Sequence, residues 1–139
     1  MPARVYYEDT DAAGVVYYAS YLKFFERCRT EWLRTTGCAQ TDLMTEHGYA
    51  FVVRRVTLEY LAPGRLDDLL TITLSIESMG RAQIVFRQRA CRDDQCLAEG
   101  TVQVVCVDMK RMKSAPIPTW LRERLVAAQT KGERERVCP

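Results

Sequence analysis

The sequence holds a single histidine, His47, in 139 residues. That scarcity removes most imidazole chemistry. No second histidine is present to complete a zinc ligand set, and His47 sits in a polar stretch far along the chain from any other motif. Six cysteines are present, but no two are spaced C-x-x-C, so neither a zinc ribbon nor a dithiol redox motif is indicated. Cys28 falls within a helical pattern and Cys106 inside a valine run, where a thiol acts as a small apolar side chain. Cys28, Cys38, Cys91, Cys96, Cys106 and Cys138 are therefore expected as reduced thiols. No apolar run is long enough to cross a bilayer. Met1-Pro2-Ala3-Arg4 leads straight into Val5 and Tyr6 with no signal-peptide core. An excess of one charge is also missing, since 20 basic against 18 acidic residues leaves +2, and this gives nucleic acid no electrostatic footprint. These absences lead us to expect a cytoplasmic protein with no metal, no nucleic-acid partner and no membrane insertion.

What is present supports a folded domain. Hydrophobic residues make up 47% of the chain, enough for a real core, and the length suits one domain. The chain is organised around one stretch, Tyr6-Tyr7-Glu8-Asp9-Thr10-Asp11-Ala12-Ala13-Gly14-Val15-Val16-Tyr17-Tyr18. This is an acidic turn running through a glycine into an amphipathic helix. The helix is read over Ala19 to Thr36, with Tyr21, Leu22, Phe25, Cys28, Trp32 and Leu33 at three- and four-residue steps forming one apolar stripe. Gly37 stops it. A second short helix is read over Thr41 to His47.

Beyond Gly48 the period changes from helical to alternating. Ala50–Leu61 reads as a strand, with Val52, Val56, Leu58 and Tyr60 on one side. Leu70–Glu77 alternates cleanly, Ala82–Cys91 follows the Met79-Gly80 turn, and Thr101–Asp108 is a β-branched run. Val5–Tyr7 reads as a first strand. Trp120–Gln129 reads as a C-terminal helix, followed by a charged tail over 130–139. The resulting expectation is one α+β domain over 1–129. In it an antiparallel sheet of about five strands wraps round one long central helix.

A carboxylate just ahead of a helix start is chemically suggestive, because the first N–H groups of a helix lack intrahelical acceptors and the helix dipole favours negative charge there. Asp9 and Asp11 are equally readable as turn or cap residues that bind local N–H groups. Gly14 either permits a positive φ or lets backbone approach a ligand.

Together with Arg4-Val5, Tyr21-Leu22-Lys23-Phe24-Phe25-Glu26-Arg27-Cys28-Arg29-Thr30-Glu31, Phe51-Val52-Val53-Arg54-Arg55 and Glu59-Tyr60-Leu61-Ala62-Pro63, the stretch resembles the acyl-CoA thioesterases of the hotdog fold. The resemblance is strongest to the YbgC-like, Tol-Pal-associated group related to 4-hydroxybenzoyl-CoA thioesterase. It runs from about Arg4 to Pro118. It implies a hotdog fold and hydrolysis of a short-chain or aromatic acyl-CoA. Asp11 would be nucleophile or general base, and the backbone N–H near Tyr18 the oxyanion donor. It also implies a homodimer or homotetramer, with coenzyme A as part of the substrate and no separate cofactor.

Three positions depart from the family pattern: Tyr18 stands where many members have histidine, Ser20 where many have asparagine, and Ala13 where glycine is common. A thioester is electrophilic enough to be opened by a carboxylate and an oxyanion donor without a histidine triad, and one such donor is worth about 3 kcal/mol. Tyr7, Tyr17, Phe51, Val52 and Val53 are candidate substrate-lining residues beside Gly14, with core packing the other reading for the last three. Arg54, Arg55, Arg65, Arg81, Lys110, Arg111 and Lys113 are candidates for the coenzyme A phosphates, each also readable as a solvated surface charge. A non-catalytic hotdog scaffold acting on envelope or lipid-synthesis partners is the alternative. A hotdog dehydratase or isomerase is disfavoured for want of a histidine.

Overall fold

The computed structural model describes residues 1–135, with side chains through residue 129. Its central element is α1, Tyr18–Thr35. The helical period brings Tyr21, Phe24, Phe25 and Cys28 onto one side, and all four are buried. The apolar stripe is thus rotated from the one read in the sequence: Phe24 belongs to it, while Leu22 and Trp32 are only half-buried.

Six strands form one antiparallel sheet around this helix: β1 (Pro2–Arg4), β2 (Tyr49–Tyr60), β3 (Leu69–Met79), β4 (Gln83–Arg92), β5 (Gln95–Asp108) and β6 (Lys113–Ser114). The spatial order is β1-β3-β4-β5-β2, with β6 also on β5. This is the expected α+β hotdog, with the two-residue β6 as the strand the sequence did not announce. The expected strand over Val5–Tyr7 is corrected. The strand is Pro2–Arg4, and Tyr7–Asp9 is a 3-10 turn. Asp9 causes this. Its Oδ2 accepts the Tyr6 N–H at 2.9 Å, a local bond that competes with a strand ladder.

Two further differences have physical reasons. β5 begins at Gln95 rather than Thr101, because Ala98-Glu99-Gly100 has weak strand propensity yet pairs fully with Tyr60, Glu59 and Leu58. β2 carries a bulge between Val53 and Arg55. The extra residue flips the alternation, so Val52 lies on the opposite face from Val56, Leu58 and Tyr60 instead of sharing theirs. Phe51 and Val53 lie on the inner face, before the bulge.

The short helix α2 spans Gln40–His47 and α3 spans Thr119–Glu135. α3 runs past Gln129, where the sequence reading ended it; the last four residues of the anticipated tail lie outside the described residues. The core has two clusters. One, beneath the acidic loop, contains Val5, Val16, Tyr21, Phe24, Leu70 and Leu97. The other, at the far end of α1, contains Leu33, Ile84, Phe86, Val104, Leu121 and Leu125. β2 ends the sheet, and among the described residues its free side carries no partner strand. No helix among the described residues is long and apolar enough to cross a membrane.

Candidate active site

The loop from Asp11 to Val15 is a tight reversal. Thr10 and Val16 face each other as a bridge. Asp11 N–H donates to the Val15 carbonyl at 2.9 Å, and Gly14 N–H donates to the Asp11 carbonyl at 2.9 Å. The Asp11 side chain folds back on this turn: Oδ1 accepts the Ala13 N–H at 2.9 Å and the Val15 N–H at 3.4 Å. Such an Asx turn is what a short carboxylate does with nearby amides. Both bonds end on Oδ1. Oδ2 accepts none among the described residues, and the side chain is exposed. Gly14 has φ 78° with nothing within 4 Å of where a Cβ would stand. Of its two readings, the positive φ is therefore the one this chain displays.

The loop is fastened to α1 through Asp9. Asp9 is 5% exposed. Its carboxylate holds the Tyr6 N–H and pairs with Lys23 Nζ at 3.6 Å. Its carbonyl accepts two donors from the helix start, the Tyr17 N–H at 3.3 Å and the Ser20 hydroxyl at 3.1 Å. The turn role that the sequence left open for Asp9 is thus filled. Ser20, noted only as a departure from a pattern, turns out to be a buried clamp.

The helix start itself is bare. Tyr17 occupies the N-cap in an extended conformation with no side-chain cap bond, and no acidic residue lies in the first turn. Tyr18 is the first helical residue, so its N–H has no carbonyl within the helix to bond. Its side chain is 64% exposed.

Asp11, Gly14, Tyr17 and Tyr18 are therefore drawn together by one loop and one helix end. Tyr7 lies on the 3-10 turn and is 83% exposed. Phe51 and Val53 stand further down the helix, in the wall of a cavity of about 190 Å³ that also touches Glu26, Arg29 and Leu33. Val52, on the other face of the strand, does not line it. Among the basic candidates, Arg65 is the one bridged to the loop, through Val15. Lys110 and Arg111 sit in the turn before β6 and Lys113 in β6 itself.

Sequence reasoning missed a tyrosine pair under the loop. Tyr21 Oη is buried with no well-formed hydrogen bond among the described residues, the Gly64 backbone being its nearest polar neighbour. Its ring lies 5.9 Å from that of Tyr60. Burial, with Tyr60 alongside, pushes the Tyr21 hydroxyl up to about 12. Burial also raises Tyr60, with Tyr18 nearby contributing. Gly64 carbonyl in turn accepts the Val16 N–H at 2.8 Å. A neighbouring clamp involves Asp68. Burial alone would raise its pKa, but the Arg65 N–H at 2.9 Å and the Arg92 guanidinium at 2.6 Å outweigh that and hold it below the usual carboxylate range.

Further along α1, Gln88 is fully buried. Its amide donates to the Phe25 carbonyl at 3.0 Å, and its oxygen accepts Arg29 Nη1 at 2.9 Å. A glutamine at the core-facing parity of Ile84, Phe86 and Ala90 was the available signal. Among the described residues, Cys28, Cys38, Cys91, Cys96 and Cys106 are free thiols. Cys138 lies outside them. No three histidine, cysteine or acidic side chains among the described residues group to hold a metal ion.

Comparison with known proteins places this geometry in a family. The model of the thioesterase-like superfamily matches residues 5–125. The chain is 53% identical over 118 residues to the acyl-CoA thioester hydrolase YbgC of an Escherichia coli O6:H1 strain, covering 84% of this chain and 87% of that protein. It is 48% identical over 117 residues to the acyl-CoA thioesterase YbgC of Haemophilus influenzae, covering 84% and 86%. Among solved structures, a probable thioesterase from Bartonella henselae superposes with a TM-score of 0.80 at 36% identity, covering 85% of this chain and 97% of that one. The chain belongs to the thioesterase-like superfamily, within its YbgC-like group.

Proposed function

We propose that this protein hydrolyses acyl-CoA thioesters, with the Asp11 carboxylate and the Tyr18 N–H as its working groups. One observation carries the reading. A helix start with no side-chain cap is tied through the Asp9 carbonyl to the loop that holds Asp11. The thioester oxygen accepts the Tyr18 N–H, and negative charge developing there meets the positive end of the helix dipole. Asp11, held by the Ala13 and Val15 amides, presents Oδ2. It either attacks the carbonyl carbon, giving a mixed anhydride that water then opens, or takes a proton from an attacking water. In both routes the C–S bond breaks, the thiolate leaves and is protonated, and the products are a carboxylic acid and coenzyme A. No imidazole is required, which suits a chain with one histidine. The coenzyme A phosphates need cations at the rim, and Arg65 is the candidate bridged to the loop.

The unpaired side of β2 supports a homodimer. Val52, Val53, Val56 and Tyr60 are all more than a third exposed, and a long apolar edge strand is normally covered. Pairing of two such units into a homotetramer is compatible with the same edge. A cytoplasmic location is part of this proposal, since the thiols that are free among the described residues would stay reduced there. The short-chain or aromatic acyl preference stays the expectation that the resemblance implies, and thiol release from a graded acyl-CoA series tests it.

The test exploits helix geometry. Proline is well tolerated at the first helical position because only an N–H without an intrahelical partner is lost, and Tyr17 already has the extended backbone that proline requires before it. Tyr18→Pro should keep the fold and lower kcat by about 10²- to 10³-fold, the loss typical of one oxyanion donor. Tyr18→Ala, which keeps the N–H, should lose far less. Asp11→Asn should also abolish most turnover, read as thiol release from acyl-CoA esters. Equal rates for Tyr18→Pro and Tyr18→Ala would remove the oxyanion assignment. Wild-type rates in Asp11→Asn would remove the carboxylate.

A further inference from the structure

Two cysteines stand opposite each other in the sheet. Cys91 on β4 and Cys96 on β5 are direct partners across the ladder. The hairpin between them turns in two residues, Asp93 and Asp94, with Asp93 at φ 52°. A turn of this kind makes its flanking residues, Arg92 and Gln95, the hydrogen-bonded pair, so the next pair inward is a non-hydrogen-bonded one. Residues in such a pair have Cα atoms about 4.5 Å apart and side chains on one face. That spacing lies near the short end of the range of about 4.4–6.8 Å over which two cysteines can be bridged. No other two cysteines among the described residues are cross-strand partners.

Contacts from elsewhere in the chain pin both sides of the pair. Arg92, beside Cys91, donates to Asp68 at 2.6 Å and to Gln95 at 2.8 Å. Leu97, beside Cys96, is the extra residue of the bulge there, and its carbonyl accepts the Leu61 N–H at 2.8 Å and the Ala62 N–H at 3.2 Å. The two thiols are thus held together by the fold. They differ in access: Cys91 is 1% exposed and Cys96 is half-buried. The Cys96 thiol donates to the Ala98 carbonyl at 3.5 Å, a weak bond that a disulfide gives up. A reagent from solvent therefore meets Cys96 first.

We propose that Cys96 and Cys91 form a modification site for low-molecular-weight disulfides, with Cys96 the entry thiol and Cys91 the resolving thiol. The Cys96 thiolate attacks one sulfur of the small disulfide, forming a mixed disulfide and releasing one small thiolate. The Cys91 thiolate then attacks the Cys96 sulfur, closing the cross-strand bond and releasing the second small thiolate. The two protein thiol protons pass through water to the two departing thiolates. Two protein thiols are oxidised and one small disulfide is reduced to two thiols. The short Cα spacing strains the bond and makes it easily reduced, which suits a reversible link in a reducing compartment. The closed link clamps the hairpin that carries Arg92 and Leu97, and with it the connection over 61–68. That connection holds the end of the Asp11 loop through Gly64 with Val16 and Arg65 with Val15.

Oxidised glutathione is the probe, applied to the full chain carrying Cys138→Ser. Free thiols are then alkylated and the protein is digested with trypsin. Trypsin cuts after Arg89 and Arg92, so only a disulfide can hold the peptide 90–92 to the one that begins at Asp93. That joined pair should appear, with the intact protein lighter by two hydrogens, and dithiothreitol should reverse both changes. Cys106 shares the second peptide, so Cys96→Ser is the control and should leave no joined pair. Cys91→Ser should instead retain one glutathione on Cys96, for about tenfold longer or more than the parent does. Closure in the folded parent should be about tenfold faster or more than in urea, a comparison that decides even if Cys91→Ser fails to fold. The proposal is overturned by a joined pair that persists in Cys96→Ser, by closure no faster in the folded parent than in urea, or by a Cys96 that reacts only on unfolding. It is equally overturned if the parent keeps its glutathione as long as Cys91→Ser does.

Discussion

Replacing Gly64 by alanine tests the packing that supports the loop. Gly64 is buried, with no positive φ, so alanine meets no backbone strain. In open space the change would stabilise the fold by about 0.4–1 kcal/mol through the unfolded chain. The space is not open. A Cβ here would stand 2.8 Å from Tyr21 Oη, 3.0 Å from Val16 Cγ2 and 3.4 Å from Leu97 Cδ1. The tyrosine cannot swing aside easily, since its ring packs against Phe24 at 6.3 Å and Tyr60 at 5.9 Å. Overpacking of this kind costs about 1–3 kcal/mol. The net expectation is a loss of about 1–2 kcal/mol, with a fall in turnover because Gly64 carbonyl holds the Val16 N–H at the end of the Asp11 loop. Tyr21→Phe removes the nearest atom, and removes a buried hydroxyl with no well-formed hydrogen bond among the described residues, so by itself it should be neutral or mildly stabilising. The double variant should then recover most of the Gly64→Ala loss, a coupling of about 1 kcal/mol or more. Urea unfolding at fixed protein concentration reads all four proteins, with unchanged m-values confirming that stability alone has moved. If Gly64→Ala costs the same with and without Tyr21→Phe, the Tyr21 contact is not what excludes a side chain at Gly64.

Asp68→Asn should cost about 1–2 kcal/mol at pH 7, because its bonds to the Arg65 N–H and Arg92 are charge-assisted but partly solvated. The folded pKa is depressed, so this stabilisation is present above the unfolded value near 3.9 and lost as pH falls through the folded one. The gap between wild type and variant in urea unfolding should therefore narrow progressively as pH falls below the unfolded value, and a constant gap would contradict the assignment. Thiol labelling in a Cys138→Ser background should modify half-buried Cys96 first. Cys106, fully buried and raised to about 11 by burial, with Asp108 nearby adding to it, should react only on unfolding. Equal rates for the two would contradict the core described above.

Most of the fold was legible because its signals are periodic. The α1 stripe, the clean alternation of β3 and the β-branched run of β5 each stated their element within a few residues. What stayed hidden was aperiodic. The bulge at Arg54 has no composition signature, yet it decides which valines face the helix. The start of β5 was masked by Gly100, whose missing side chain reads as weak strand but admits the Thr57 carbonyl, which would stand 2.0 Å from a Cβ there. The candidate site was legible as a stretch and illegible as a geometry. Asp9 and Asp11 look alike in sequence and differ only in burial, 5% exposed for the first and exposed for the second.

That difference explains how a site with so little side-chain chemistry can be held in place. The two groups proposed to act on the thioester are both positioned by main chain. One is an amide fixed by the helix it begins, and the other a carboxylate fixed by amides of its own turn. The relation between them depends on a third group, the Asp9 carbonyl, which receives one bond from the Tyr17 amide and one from the Ser20 hydroxyl. Burial protects those bonds from water, and an unsatisfied buried carbonyl or hydroxyl would cost about 1–3 kcal/mol. The loop is thus held at the helix tip by its own hydrogen-bonding requirements, while its open face leaves Asp11 Oδ2 to solvent or substrate.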